Sequence, residues 1–138
     1  MAFEQGGSQP WSFIGTGAVK KGTMLKLSTV DGECDVATAV TDVPCGVALE
    51  NLAADANRAT LKGAPIGVGC AEGEIYKVIG STTIAIGAAL GPTTGGKAVT
   101  ITLSTTYAQE WIFGIALSAA GAGGTDIVRM RYGPQIAS

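Results

Sequence analysis

An all-β fold, a compact barrel or sandwich built from two copies of one β unit, follows from three features of the sequence. From Lys20 onward, short apolar runs alternate with Gly, Asp, Pro and Thr punctuation at intervals of roughly ten residues, the spacing of an all-β domain. The runs Val99–Leu103, Glu74–Ile79 and Ile127–Tyr132 alternate or are rich in β-branched and aromatic residues, which fit a pleated, half-buried surface. Finally, a set of glycine-led motifs occurs twice in the same order along the chain.

Taken in order, residues 1–18 read as an extended N-terminal arm: Gly, Ser and Gln carry the well-spaced apolar residues Phe3, Trp11, Phe13 and Ile14. Such an arm either folds back over its own core or adds to another subunit by strand pairing, with the aromatics as anchors. Residues 19–138 read as a single β domain. In it Gly22-Thr23-Met24-Leu25 recurs as Gly87-Ala88-Ala89-Leu90, and Gly46-Val47-Ala48-Leu49 recurs as Gly114-Ile115-Ala116-Leu117. The leading glycines lie 24 residues apart in the first half and 27 in the second, so one half carries a small insertion.

Asp31-Gly32 and Gly95-Gly96-Lys97 sit between the paired motifs and read as hairpin turns, because Gly supplies the positive φ such turns need. Each half continues through an alanine-rich loop into another strand, near Arg58–Lys62 and near Asp126–Arg131. The pseudo-repeats span about residues 19–63 and 84–131, joined through Ala64–Thr83, and bury their apolar faces against each other. Glu50–Ala59 is alanine-rich but broken by two asparagines and an aspartate, so it reads as a loop with one or two helical turns.

Composition removes several functions. The 138 residues include no histidine, which excludes a Ser-His-Asp or Cys-His site and most catalytic zinc sites. Nine cations against eleven carboxylates give no basic stripe for nucleic acid. Charged residues are 14% of the chain, where a soluble domain has about 25%. Gly, Ala and Thr supply 57 positions, so much of the surface is small and neutral. Met1–Gln5 lacks the cationic start of a secretory signal. The charge-free stretch Val78–Gly96 is too rich in Gly and Thr, with Pro92 inside it, for a membrane helix. Cys34, Cys45 and Cys70 match neither a zinc pattern nor a disulfide scaffold and read as small buried thiols.

The motifs that carry chemistry elsewhere fail here in detail. Gly91–Ala98 fits seven of the eight positions of the phosphate-loop pattern, but Ala98 stands where the Mg²⁺-binding hydroxyl belongs and a strand follows where a helix is needed. Gly67–Gly73 is one residue too long for a dinucleotide fingerprint. Asp31, Glu33 and Asp35 alternate beside a turn without the full ligand spacing of a Ca²⁺ loop. The expectation is therefore a non-enzyme, with no catalytic residue, cofactor or metal.

Val19-Lys20-Lys21-Gly22, the Gly46–Leu49 strand with its alanine-rich loop, Ile86–Leu90, Gly96–Thr100, Gly114–Leu117 and the closing Val128–Arg131 together resemble the small capsid decoration, or cement, proteins of tailed bacteriophages. The likeness runs from about Val19 to Tyr132, and the order of its short motifs carries it. The resemblance implies a virion structural protein that is made in the host cytoplasm and assembles as a homotrimer on the outer surface of an icosahedral head. There it would bind the major capsid protein at local three-fold sites and stabilise the expanded shell. It implies no nucleic acid or membrane partner. Phe3, Trp11, Phe13, Ile14 and Trp111 are the expected capsid or subunit contacts. The alternative is a carbohydrate- or cell-surface-binding β module of a phage particle, with Trp11, Trp111 and Tyr132 as stacking faces.

Overall fold

A computed structural model of the chain describes residues 8–58, 63–102 and 109–136. Its ten strands are β1 (Ser8–Phe13), β2 (Met24–Leu27), β3 (Glu33–Val36), β4 (Pro44–Ala48), β5 (Ala64–Gly69), β6 (Ile75–Ile79), β7 (Ala89–Thr93), β8 (Lys97–Thr100), β9 (Trp111–Ala116) and β10 (Ile127–Ile136). The first five close into a barrel in the order β1-β3-β2-β4-β5, with β5 returning to β1. The second five form a sheet in the order β6-β10-β9-β7-β8. Read from its other edge, that sheet repeats the order of the barrel strand for strand. Its outer strands meet at one parallel bridge, Gly80 to Ala98. The barrel has a parallel β1–β3 ladder at the equivalent place, pairing Ser12 with Glu33 and Phe13 with Cys34.

The duplication extends to single hydrogen bonds. Gly22 N–H donates to the Ala48 carbonyl at 2.9 Å, as Gly87 N–H does to Ala116 at 2.8 Å. Ala48 N–H donates to Thr23 and Ala116 N–H to Ala88, while Val19 and Leu52 exchange a pair of bonds that Ile84 and Ala120 reproduce. Gly22 and Gly87 hold φ of 95° and 91°, a region where a Cβ is strained. That requirement explains why both motifs open on glycine.

The units are longer than their motifs. Segment 64–83, which joins the repeats in the sequence reading, contains the last strand of one unit and the first of the next. The strand after the first alanine-rich loop is Ala64–Gly69, whereas Arg58 lies in a turn and residues 59–62 lie outside the described residues. Pro65, Gly67 and Gly69 give β5 a poor strand signal by themselves. It forms nevertheless because it is paired on both sides, by β1 and by β4. Of the arm, Ser8–Phe13 runs antiparallel to β5 through six registered residues.

Two cores result. Phe13, Val19, Leu25, Cys34, Cys45, Ala48, Ile66 and Val68 fill the barrel. Val78, Ile84, Leu90, Ala98, Phe113, Val128, Met130 and Tyr132 fill the second unit, and their cluster also takes in Met24, Ala37 and Val47 from the outside of the barrel. One face of the barrel thus closes the core of its sister unit. The Gly91–Ala98 motif is the β7–β8 hairpin, turning through a single 3-10 turn at Thr94–Gly96. Gly96 lies so close to Thr23, Met24 and Val36 that a Cβ there would collide with them.

Candidate functional site

Among the described residues no group of three or more Cys, Asp, Glu or His is placed to hold a metal ion. Several carboxylates serve instead as acceptors for nearby backbone amides. Asp42 takes Thr38 and Ala39 N–H at 2.9 and 3.1 Å, Glu50 takes Gly67 N–H at 2.6 Å, and Asp126 takes Gly121 N–H at 2.7 Å. Asp35 caps the Val36 amide at 2.7 Å. The aspartate bonds fix turns and strand ends, where short acidic side chains compete well for backbone donors, while Glu50 reaches the middle of β5.

The thiols lie inside. Cys34 and Cys45 are buried in the barrel, and Cys70 is partly buried where the two cores meet. Cys45 donates to the Cys34 sulfur, which pulls the Cys34 thiol below its ordinary range; the same bond, with burial, pushes Cys45 up. Burial also raises Cys70. Tyr132, 2% exposed, packs edge to face on Tyr76 with centroids 6.0 Å apart, so it offers no stacking face to a sugar.

Burial raises the Tyr132 and Tyr76 phenols above their ordinary value. A raised folded-state pKa favours the protonated form in the native protein. The associated stability is complete below the unfolded value near pH ~10 and is lost as pH rises beyond it. Denaturant unfolding between pH 8 and 12, taken as an order-of-magnitude window around that value, is expected to show stability falling on the alkaline side, with Tyr132→Phe flattening the fall.

Sequence reasoning passed over Arg58, which is 4% exposed and 5.4 Å over the Phe13 ring. Its guanidinium donates to the carbonyls of Gly15 at 2.6 Å, Gly17 at 3.0 Å and Ala53. One fork thereby ties the chain leaving β1 to the alanine-rich loop. Replacing Arg58 with Ala leaves three acceptors without their donor and removes a cation–π contact. A loss of about 3 kcal/mol is expected in urea unfolding, and Arg58→Lys should recover little because an ammonium cannot reproduce the fork.

The expected contact residues lie on different elements and differ in burial. Phe13 is a core residue of the barrel, 1% exposed. Trp11, Ile14 and Trp111 are half-buried, and Phe3 lies outside the described residues. Trp11 is on β1 and Trp111 opens β9 in the other unit. A groove of about 340 Å³ opens instead along β10 at its irregularity between Tyr132 and Gln135, lined by Glu72, Ile115, Arg131, Tyr132, Pro134 and Gln135 among others. It combines apolar surface with opposite charges at its rim, which suits contact with a protein more than chemistry on a small molecule. No sequence motif marked it, since its residues come from three separate segments.

No protein-family model matches the chain, and no curated protein matches it. Among solved structures it is similar to the N base of the head fibre gp8.5 of bacteriophage phi29. The TM-score is 0.61 at 20% identity, over 91% of this chain and 92% of the phage one. The likeness spans both β units and defines a shared all-β fold.

Proposed function

We propose that this chain is a structural protein of a phage virion that sits on the outer surface of an icosahedral head. The observation that carries the reading is the fold match to a head fibre base over nearly the whole of both chains. The order of motifs resembling capsid decoration proteins supports it, as do the sparse charge and the acidic residues taken up by turns. In this reading the protein binds the major capsid protein as a homotrimer at local three-fold sites and stabilises the expanded shell through many modest contacts that add by multivalency. It works by contact surfaces and is not an enzyme. Trp11, Ile14 and Trp111, the expected contacts that keep accessible surface, belong to those surfaces.

Purified protein added to undecorated expanded heads is the test. Saturable binding in a fixed ratio to the capsid subunit, together with a higher temperature of head disruption, is expected. Heads that bind none of it would end the proposal.

A further inference from the structure

Of the five aspartates in the chain, four are tied to backbone amides. Asp35 accepts the Val36 N–H, Asp42 those of Thr38 and Ala39, Asp55 that of Asn57 and Asp126 that of Gly121. The fifth, Asp31, stands in the turn between β2 and β3, exposed together with its neighbours Val30 and Gly32. Among the described residues its carboxylate has neither a hydrogen-bond nor an ion-pair partner. The residue that follows it also differs. Val36, Val43 and Ile127, which follow Asp35, Asp42 and Asp126, are branched at Cβ and crowd their own amide nitrogens, and Ala56 after Asp55 carries a methyl group. Gly32 has no side chain, its φ is 82°, and nothing lies within 4 Å of the position a Cβ would take. The bond that holds the turn runs from Glu33 N–H to the Val30 carbonyl at 3.1 Å, and among the described residues the Gly32 N–H has no partner. A carboxyl group free to rotate thus adjoins an unshielded, unbonded amide nitrogen.

We propose that Asp31-Gly32 is a site of spontaneous backbone isomerisation, which converts Asp31 to isoaspartate and loosens the seam that closes the barrel. The Gly32 nitrogen gives its proton to solvent and attacks the Asp31 side-chain carboxyl carbon. A C–N bond forms there as a C–O bond breaks, and the oxygen leaves as water. The product is a five-membered succinimide, favoured because both reacting groups are held in one chain. Water then adds to either of its carbonyls. Addition at the side-chain carbonyl restores aspartate. Addition at the main-chain carbonyl breaks the original peptide C–N bond and leaves the chain running through the Asp31 side chain. One water is lost and one regained, so the mass is unchanged. The main chain is longer by one carbon, and the former main-chain carbonyl has become a free carboxylate.

The consequence follows from what leans on the turn. Ser12 N–H donates to the Gly32 carbonyl at 3.1 Å, Ser12 and Phe13 pair in parallel with Glu33 and Cys34, and Ile14 N–H donates to the Cys34 carbonyl at 3.0 Å. This short ladder joins β1 to β3 in the closed barrel. An extra main-chain carbon just ahead of Gly32 displaces its carbonyl against the Ser12 amide at the start of the ladder. Cys34, buried two residues further on, belongs to the same seam and reports on it. The site is independent of attachment to a capsid and of any self-association.

The test is ageing of the purified full chain at neutral pH and body temperature. Isoaspartate is read with an isoaspartate-specific carboxyl methyltransferase and a labelled methyl donor, and the labelled peptide is fragmented to place the isomerised bond. Wild type is expected to accumulate label with time at residue 31 and not at the other aspartates. Asp31→Glu, which would have to close a six-membered ring, is expected to accumulate it at least about tenfold more slowly. The isomerised fraction, separated from unmodified chain of the same age, should expose Cys34 to a thiol reagent roughly fivefold faster, as when one backbone hydrogen bond is lost. Wild type that gains no label, or gains it away from residue 31, overturns the inference, as does an Asp31→Glu chain labelled as fast as wild type. Cys34 equally protected in the two fractions overturns the loosening of the seam.

Discussion

A chain lacking residues 1–14 is expected to lose the cooperative fold of its first unit. β1 lies between β3 and β5 and closes the barrel, so its removal leaves both of those strands with open edges. Phe13 is among the largest wholly buried side chains, and truncating a buried Phe by itself costs about 3–5 kcal/mol. Its loss also strips Arg58 of the ring it stacks on and leaves a buried cation beside a void. A domain of this size has only about 5–15 kcal/mol of stability in all. Cys34 and Cys45, hidden in that barrel, make the measurement simple. In the truncated chain both should react with a thiol reagent without denaturant, while in the full chain they stay protected. Protected thiols and an unchanged melting temperature in the truncated protein would mean that the barrel closes without β1, leaving the segment free to act as an arm on a neighbour.

The same segment marks the limit of what the sequence discloses. The runs at 74–79, 99–103 and 127–132 announce β6, β8 and β10 because each carries a local pattern, although β8 itself is Lys97–Thr100, and the Asp31-Gly32 and Gly95-Gly96 turns announce themselves by needing positive φ at Gly32, Gly95 and Gly96. The duplication is legible because Gly22 and Gly87 face the same steric demand. Ser8–Phe13 and Ala64–Gly69 carry no such local mark. Each pairs with the other across more than fifty residues of chain and with one further strand, β3 or β4, and pairing so remote in sequence overrides weak propensity without leaving a periodic trace. Arg58 was illegible for a related reason: an arginine in a polar loop reads as solvated until the carbonyls of Gly15 and Gly17 are brought to it.

Substitutions at Gly46 and Gly114 are expected to be strongly destabilising, and together with Gly32 they separate two causes. Gly46 leads the second motif of the barrel with φ 150°, and a Cβ there would stand 2.5 Å from the Gly69 carbonyl oxygen on the neighbouring strand. Its counterpart Gly114 has no positive φ, but a Cβ would press on the Arg131 carbonyl more closely still. Gly32 is the converse, with φ 82° and nothing within 4 Å. Gly32→Ala should therefore cost only the backbone term, about 1–2 kcal/mol, and Gly114→Ala only the steric term, up to about 3 kcal/mol because the obstruction is backbone. Gly46→Ala carries both, so its cost should approach their sum, about 4 kcal/mol, a large fraction of the stability of the domain. Urea unfolding of the three variants reads this directly. Gly114→Ala within about 0.5 kcal/mol of wild type would mean that β9 and β10 move apart freely at that point. The spacing of the two strands would then be soft where the close approach of Gly114 to the Arg131 backbone has it rigid.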